Sequence, residues 1–76
     1  MSINIIIFGQ LCDILGESLV LNGIGDTDSL TAVLNEKYPR VRGMKYMMAV
    51  EKKLVTENTL LANKNTVALM PAFSGG

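Results

Sequence analysis

The stretch that decides the fold is "DTDSLTAVLNEKYP", residues 26–39. Leu30, Val33, Leu34 and Tyr38 fall at i, i+3, i+4 and i+8, which sets them along one side of a helix. Asp26 is placed to cap the helix start with its carboxylate, and Asp28 adds negative charge where first-turn amides lack partners. Pro39 disfavours helical geometry at Tyr38 and closes the element. This is the one convincing helix of the 76 residues, so the flanking sequence must supply strands.

Upstream, "SINIIIF" (residues 2–8) is a β-branched run ended by Gly9. "QLCDILG" (10–16) reads as a short helical turn closed by Gly16, and "ESLVLN" (17–22) as a second strand. Downstream, "MKYMMAV" (44–50) reads as a third strand. "EKKLVTENTLLANKN" (51–65) reads as a short strand, a helical turn around Thr59–Ala62, and a loop. "TVALM" (66–70) is a last strand running into Pro71. One helix covers only one face of a sheet, so the sequence predicts a two-layer α+β domain. This order is that of the β-grasp, or ubiquitin-like, fold: a mixed sheet packed on one main helix, with first and last strands side by side in the middle. The domain is expected over residues 1–71, with 72–76 as a flexible C-terminal tail.

Parity along the strands separates the faces. Asn4 marks its own side of strand one as wetter, so Ile3, Ile5 and Ile7 should meet the helix while Ile6 and Phe8 point away. In the last strand Val67 and Leu69 should be core, leaving Ala68 and Met70 outside. The outer face near the tail is then apolar enough to suggest docking, unless stems such as those of Lys52 and Lys53 cover it.

Composition removes several kinds of chemistry. There is no His and one Cys, so Ser-His-Asp and Cys-His nucleophiles are impossible, as are cysteine-rich zinc and four-cysteine cluster sites. Cys12, within an apolar turn, reads as a half-buried small hydrophobe. Seven basic and seven acidic residues balance, which gives no footprint for nucleic acid. No apolar run is long enough to span a membrane, and the expectation is a cytoplasmic protein that binds no metal or cofactor and is not catalytic alone.

The remaining candidate is the end, "MPAFSGG". Pro71 should stop the ladder and release the chain from the sheet. Ala72, Phe73 and Ser74 would form a stem, Gly75 keeps it slim, and Gly76 carries the carboxylate. From Ala72 to Gly76 the extended reach is roughly 17 Å, enough for a thread to enter another protein's active site. A carboxylate is a poor electrophile, so it needs ATP-dependent adenylation before sulfur can attack it and leave a thiocarboxylate.

"TVALMPAFSGG", with "LNEKYP" and the opening "IIIFGQLCDILG", resembles the small subunit of molybdopterin synthase, a ubiquitin-like sulfur-carrier family of molybdenum cofactor biosynthesis. The resemblance covers nearly the whole chain. It implies that Gly76 is activated by a partner adenylating enzyme using ATP, and receives sulfur from a donor system. It further implies insertion of the tail into a large catalytic subunit, in a heterotetramer, where sulfur passes to a cyclic pyranopterin monophosphate. The family's hydrophobic contacts fall on Phe8, Leu54 and Met70; parity alone selects the first and last but not Leu54.

Four positions depart from the family pattern. Pro71-Ala72 stands for two prolines, and "NKN" (63–65) for an Asp-Gly-Asp turn, so Asn63 or Asn65 is expected to supply any positive φ in place of Lys64. Val50-Glu51 stands for Val-Asn, and Cys12 for a basic residue that would form an inter-subunit ion pair. Related carriers for thiamine or tRNA thiolation, and a ubiquitin-like modifier or docking module, share the same architecture and remain alternatives.

Overall fold

The computed structural model describes residues 1–72. Five strands form one mixed sheet: β1 Ser2–Ile7, β2 Ser18–Asn22, β3 Tyr46–Val50, β4 Lys53–Val55 and β5 Thr66–Pro71, in the order β2-β1-β5-β3-β4. β1 and β5 are central and parallel, and the other pairs are antiparallel. The single turn α1, Cys12–Leu15, follows a 3-10 turn at Gly9–Leu11, and the main helix α2 spans Thr27–Lys37. This is the β-grasp arrangement expected from the element order.

Alternation in β1 comes out as predicted. Ile3, Ile5 and Ile7 are buried with Leu30 and Leu34 of α2 and with Val67 and Leu69 of β5. Burying such side chains contributes about 1.5–3 kcal/mol each, the main return available to so small a domain. Cys12 packs against this core half-buried, its thiol donating to the Ile7 carbonyl at 3.2 Å.

Asp26 caps α2 as expected, accepting from the Ser29 amide at 2.9 Å. Hydrogen bonds from Ser29 and then Asn58 hold its carboxyl below the ordinary value of 3.8. Asn58 also accepts from the Asp28 amide at 2.9 Å, so the segment after β4 fastens the helix start.

The helical turn expected around Thr59–Ala62 does not form. The Thr27 amide donates to the Thr59 carbonyl and the Leu61 amide to the Gly25 carbonyl, both at 2.9 Å. These long-range bonds hold the segment extended, with Leu61 buried and Leu60 outside. Tertiary pairing outweighs local propensity there.

The turn at 63–65 also differs from expectation. Lys64 itself takes the left-handed conformation, at φ +66°. Both asparagines are committed as side-chain acceptors: Asn63 Oδ1 from the Ser2 amide at 2.9 Å, and Asn65 Oδ1 from the Ala62 amide at 2.7 Å. The residue between them absorbs the backbone cost.

Candidate functional site: an apolar sheet face at the base of the tail

The face of the sheet away from α2 is assembled by register. Ile6 lies opposite Ala68, Ala68 opposite Ala49, and Ala49 opposite Leu54, a row across four strands. One step toward the end of β5, Phe8 follows β1 and Met70 pairs with Met47. The sequence-predicted contacts Phe8 and Met70 therefore share one end of this face, and Leu54 belongs to the same surface. Ala49, Ala68 and Met47 connect them.

Phe8 is 49% exposed and Leu54 55%, while Ile6 and Met47 are also exposed and Met70 is half-buried. Two alanines in mid-row leave a depression of about 260 Å³ between larger neighbours. Phe8, Ile6 and Thr66 border it, with Glu51 and Lys52 at the far rim. Lys53 pairs with Val50 and so belongs to the opposite parity; only Lys52 of the two lysines reaches the patch. An exposed apolar surface with a concave centre is the form of a partner-docking site.

Glu51 stabilises the far rim. Its carboxylate accepts from the Thr66 amide at 2.9 Å and from Asn65 Nδ2 at 3.1 Å, while Glu51 and Lys52 turn the β3–β4 hairpin with positive φ. Both central residues of a type I′ hairpin turn need that conformation, which usually selects Asn or Gly.

Pro71 does not release the chain as expected. β5 runs through it, Tyr46 pairs with it, and the Ala72 amide donates to the Lys45 carbonyl at 3.2 Å. The reason lies in alternation. The amides of residues 70 and 72 face β3, whereas position 71 faces the β1 side, where β1 has already ended, so the missing donor costs no ladder bond. The proline ring instead packs on Gly9. A Cβ at Gly9 would lie 2.7 Å from Pro71 Cγ, and Gly9 has φ +64°. Two demands thus converge on one glycine that the sequence reading treated only as a strand stop. Met47 was missed as well; it falls on the outer parity once its neighbour Met48 is known to be core.

Phe73, Ser74, Gly75 and Gly76, the stem and reactive end expected from the sequence, lie outside the described residues. Among the described residues no cluster of three or more His, Cys, Asp or Glu could hold a metal ion, and no helix is long and apolar enough to cross a membrane.

A sequence model described as the ThiS family matches residues 5–76. Among solved structures, the chain is similar to SAMP1 from Haloferax volcanii, with TM-score 0.79, 18% identity and both chains covered in full. It is similar to a chain from the complex of subunits 1 and 2 of the molybdopterin-converting factor from Helicobacter pylori 26695, with TM-score 0.73, 24% identity and full coverage of both. A solution structure of small archaeal modifier protein 1 from Methanosarcina acetivorans matches with TM-score 0.79 and 18% identity, over 99% of this chain and 96% of that one. At these identities the structural likenesses establish the ubiquitin-like fold.

Proposed function

This chain belongs to the ThiS family, and on that premise we propose that it is the sulfur-carrier small subunit of a molybdopterin synthase. The observation that carries the reading is a family match extending through Gly76, on a domain whose exposed apolar face begins beside the last described residues. The Gly76 carboxylate attacks the α-phosphate of ATP on an activating enzyme, expelling pyrophosphate and giving an acyl adenylate. A sulfur nucleophile from a donor system then displaces AMP, leaving a thiocarboxylate. Its sulfur bonds to a cyclic pyranopterin monophosphate in a large catalytic subunit, and water cleaves the acyl C–S bond, leaving the sulfur on the pterin and regenerating the carboxylate. The reading places the protein in the cytoplasm, where ATP is available.

The assignments within this scheme follow from reach and surface. Phe8, Leu54 and Met70 dock the large subunit. Pro71 and Ala72 hold the start of the tail against β3, so the thread begins at a fixed point. Phe73 and Ser74 line the partner's channel, Gly75 keeps the thread narrow, and Gly76 reacts. The 24%-identical solved relative comes from a complex with a second subunit, which is consistent with a large-subunit partner. A heterotetramer built on a large-subunit dimer is the expected assembly.

Incubation with an activating enzyme, ATP and a sulfur donor tests the scheme. Intact mass should rise by the exchange of one oxygen for sulfur, and one residue added beyond Gly76 should abolish the gain while leaving the fold intact. No gain with a competent enzyme defeats the carrier reading. A second reading is a protein modifier, favoured by the two likenesses to structures named SAMP1. It predicts an isopeptide-linked adduct in place of the sulfur exchange.

A further inference from the structure

Along the open edge of β3 beside α2, touching the apolar face at Met47, lies a second concavity of about 640 Å³. That volume falls within the roughly 300–1,000 Å³ of ligand-sized pockets. It runs between α2 and β3 because β4 is too short to cover its neighbour. β4 pairs only with Met48–Val50 and then turns away at Thr56 toward the start of α2. The alternation that directs Lys45 and Met47 toward β5 turns the Tyr46 N–H and C=O toward this open side, where the described residues supply no ladder partner. An unpaired strand edge at the rim of a groove is a template for one more strand.

The groove carries opposite charge at its two ends. Asp28 and Glu57 stand where α2 begins, and Arg42 and Lys45 where it finishes. Arg42 is oriented by its Nε donating to the Asn35 carbonyl at 3.1 Å, near the negative end of the helix dipole. Residues 37–45 hold four of the seven basic side chains and no acidic one. β3 runs from the basic end to the acidic end. A strand added antiparallel to β3 therefore begins at the acidic end and finishes at the basic one. The wall adds a polar group: the Tyr46 hydroxyl, shut off from solvent, has no hydrogen-bond partner among the described residues. Thr31 lies beside it, but donates its own hydroxyl to the Thr27 carbonyl at 3.1 Å.

The geometry points to this groove as a docking site for an extended peptide segment of another protein, added antiparallel to β3, basic at its N-terminal side and acidic or free-carboxylate at its C-terminal side. Backbone bonds to Tyr46 supply the register, and the two charge poles supply the direction. Ala72 and Met47 border the same groove, so such a segment would lie next to the origin of the tail and meet the apolar face at Met47.

The test uses the whole chain and a synthetic pentapeptide, Lys-Val-Thr-Val-Asp, with its reversed sequence as control, followed by amide chemical shifts. Binding at roughly millimolar concentration is expected, with shifts at Thr31, Arg42, Tyr46 and Asn58, and the reversed peptide about tenfold weaker. Lys45→Glu should weaken the forward peptide and favour the reversed one. It spares the Arg42 bond to α2, so it separates charge recognition from loss of local structure. Equal binding of both peptides, shifts confined to Phe8 and Met70, or no shifts overturns the proposal. So does a groove already filled by this chain, seen as Overhauser contacts from residues 73–76 to Tyr46, or by a second copy, seen as concentration-dependent shifts at Tyr46.

Discussion

Ile5 and Ile6 are identical neighbours in β1, yet Ile5 is fully buried and Ile6 is 41% exposed. Nothing in either side chain accounts for the difference. Alternation sends them to opposite faces, and one helix can cover only one of those faces. On the covered face the isoleucines, Val67 and Leu69 close around α2. On the other, Ile6, Phe8, Met47 and Leu54 stay in water, the surface that the proposed partner would cover. The same strands thus carry the stability on one side and, in the proposed reading, the recognition on the other.

The sharpest way to break that division is from inside. Leu69 is completely buried in the central strand, between Ile7 and Met48. Leu69→Ala should cost about 2–5 kcal/mol in urea unfolding, because a close-packed core relaxes only partly around the cavity. In a domain this small that is a large share of the total stability. A loss below about 1 kcal/mol would mean that the covered face is not what holds the fold.

Gly9→Ala tests the junction where the two faces meet the tail. The new methyl would meet the Pro71 ring at 2.7 Å, on a backbone at φ +64° that disfavours a side chain. A loss of about 1–3 kcal/mol is expected from the left-handed backbone and the contact together. Amide shifts should move at Phe8, Met70 and Ala72, since relief of the clash displaces the end of β5 from β1. Unchanged shifts at Ala72 would dissociate Gly9 from the exit of the chain.

Much of this was legible in the sequence, for identifiable reasons. Asn4 in a run of isoleucines orients β1, and the spacing of Leu30, Val33, Leu34 and Tyr38 defines α2 before any contact is known. Both signals are local and periodic. What escaped depends on who sits opposite whom. Pro71 reads as a stop because a lone proline says nothing about which neighbour its missing N–H would face. Gly9 reads as punctuation, since the ring it accommodates lies at the other end of the chain. Lys64 takes the positive φ while the asparagines beside it accept from backbone amides, Asn63 from the distant Ser2 and Asn65 from nearby Ala62. Leu54 needed the family resemblance, because its three-residue strand is too short to show a period.

Phe8→Ala probes the outer face, and here the expected change in stability is within about 1 kcal/mol, since the ring is already half in water. Affinity for the proposed large subunit should fall well beyond that, as for an aromatic anchor of an interface. An unfolding penalty above about 2 kcal/mol would assign Phe8 to the core and erase the division between faces.

The smallest effect should come from a buried polar group on the covered side. Tyr46 shares the parity of Met48, and its hydroxyl is buried without a hydrogen bond among the described residues. Tyr46→Phe removes a group that lost its water on folding and gained little in return, so stability at neutral pH should stay within about 1 kcal/mol or rise slightly. The pH dependence is more telling than the size. Burial raises the phenol above its ordinary value of 10.0, with Thr31 partly opposing the shift. The unfolded chain then ionises first, so this contribution is intact below pH 10.0 and is lost as the pH climbs through the higher folded value. The wild-type protein should lose stability on that alkaline limb more steeply than Tyr46→Phe, measured by urea midpoints on either side of it. Parallel curves for the two proteins would mean that the hydroxyl reaches water, and that the wall of the groove is open where the structure closes it.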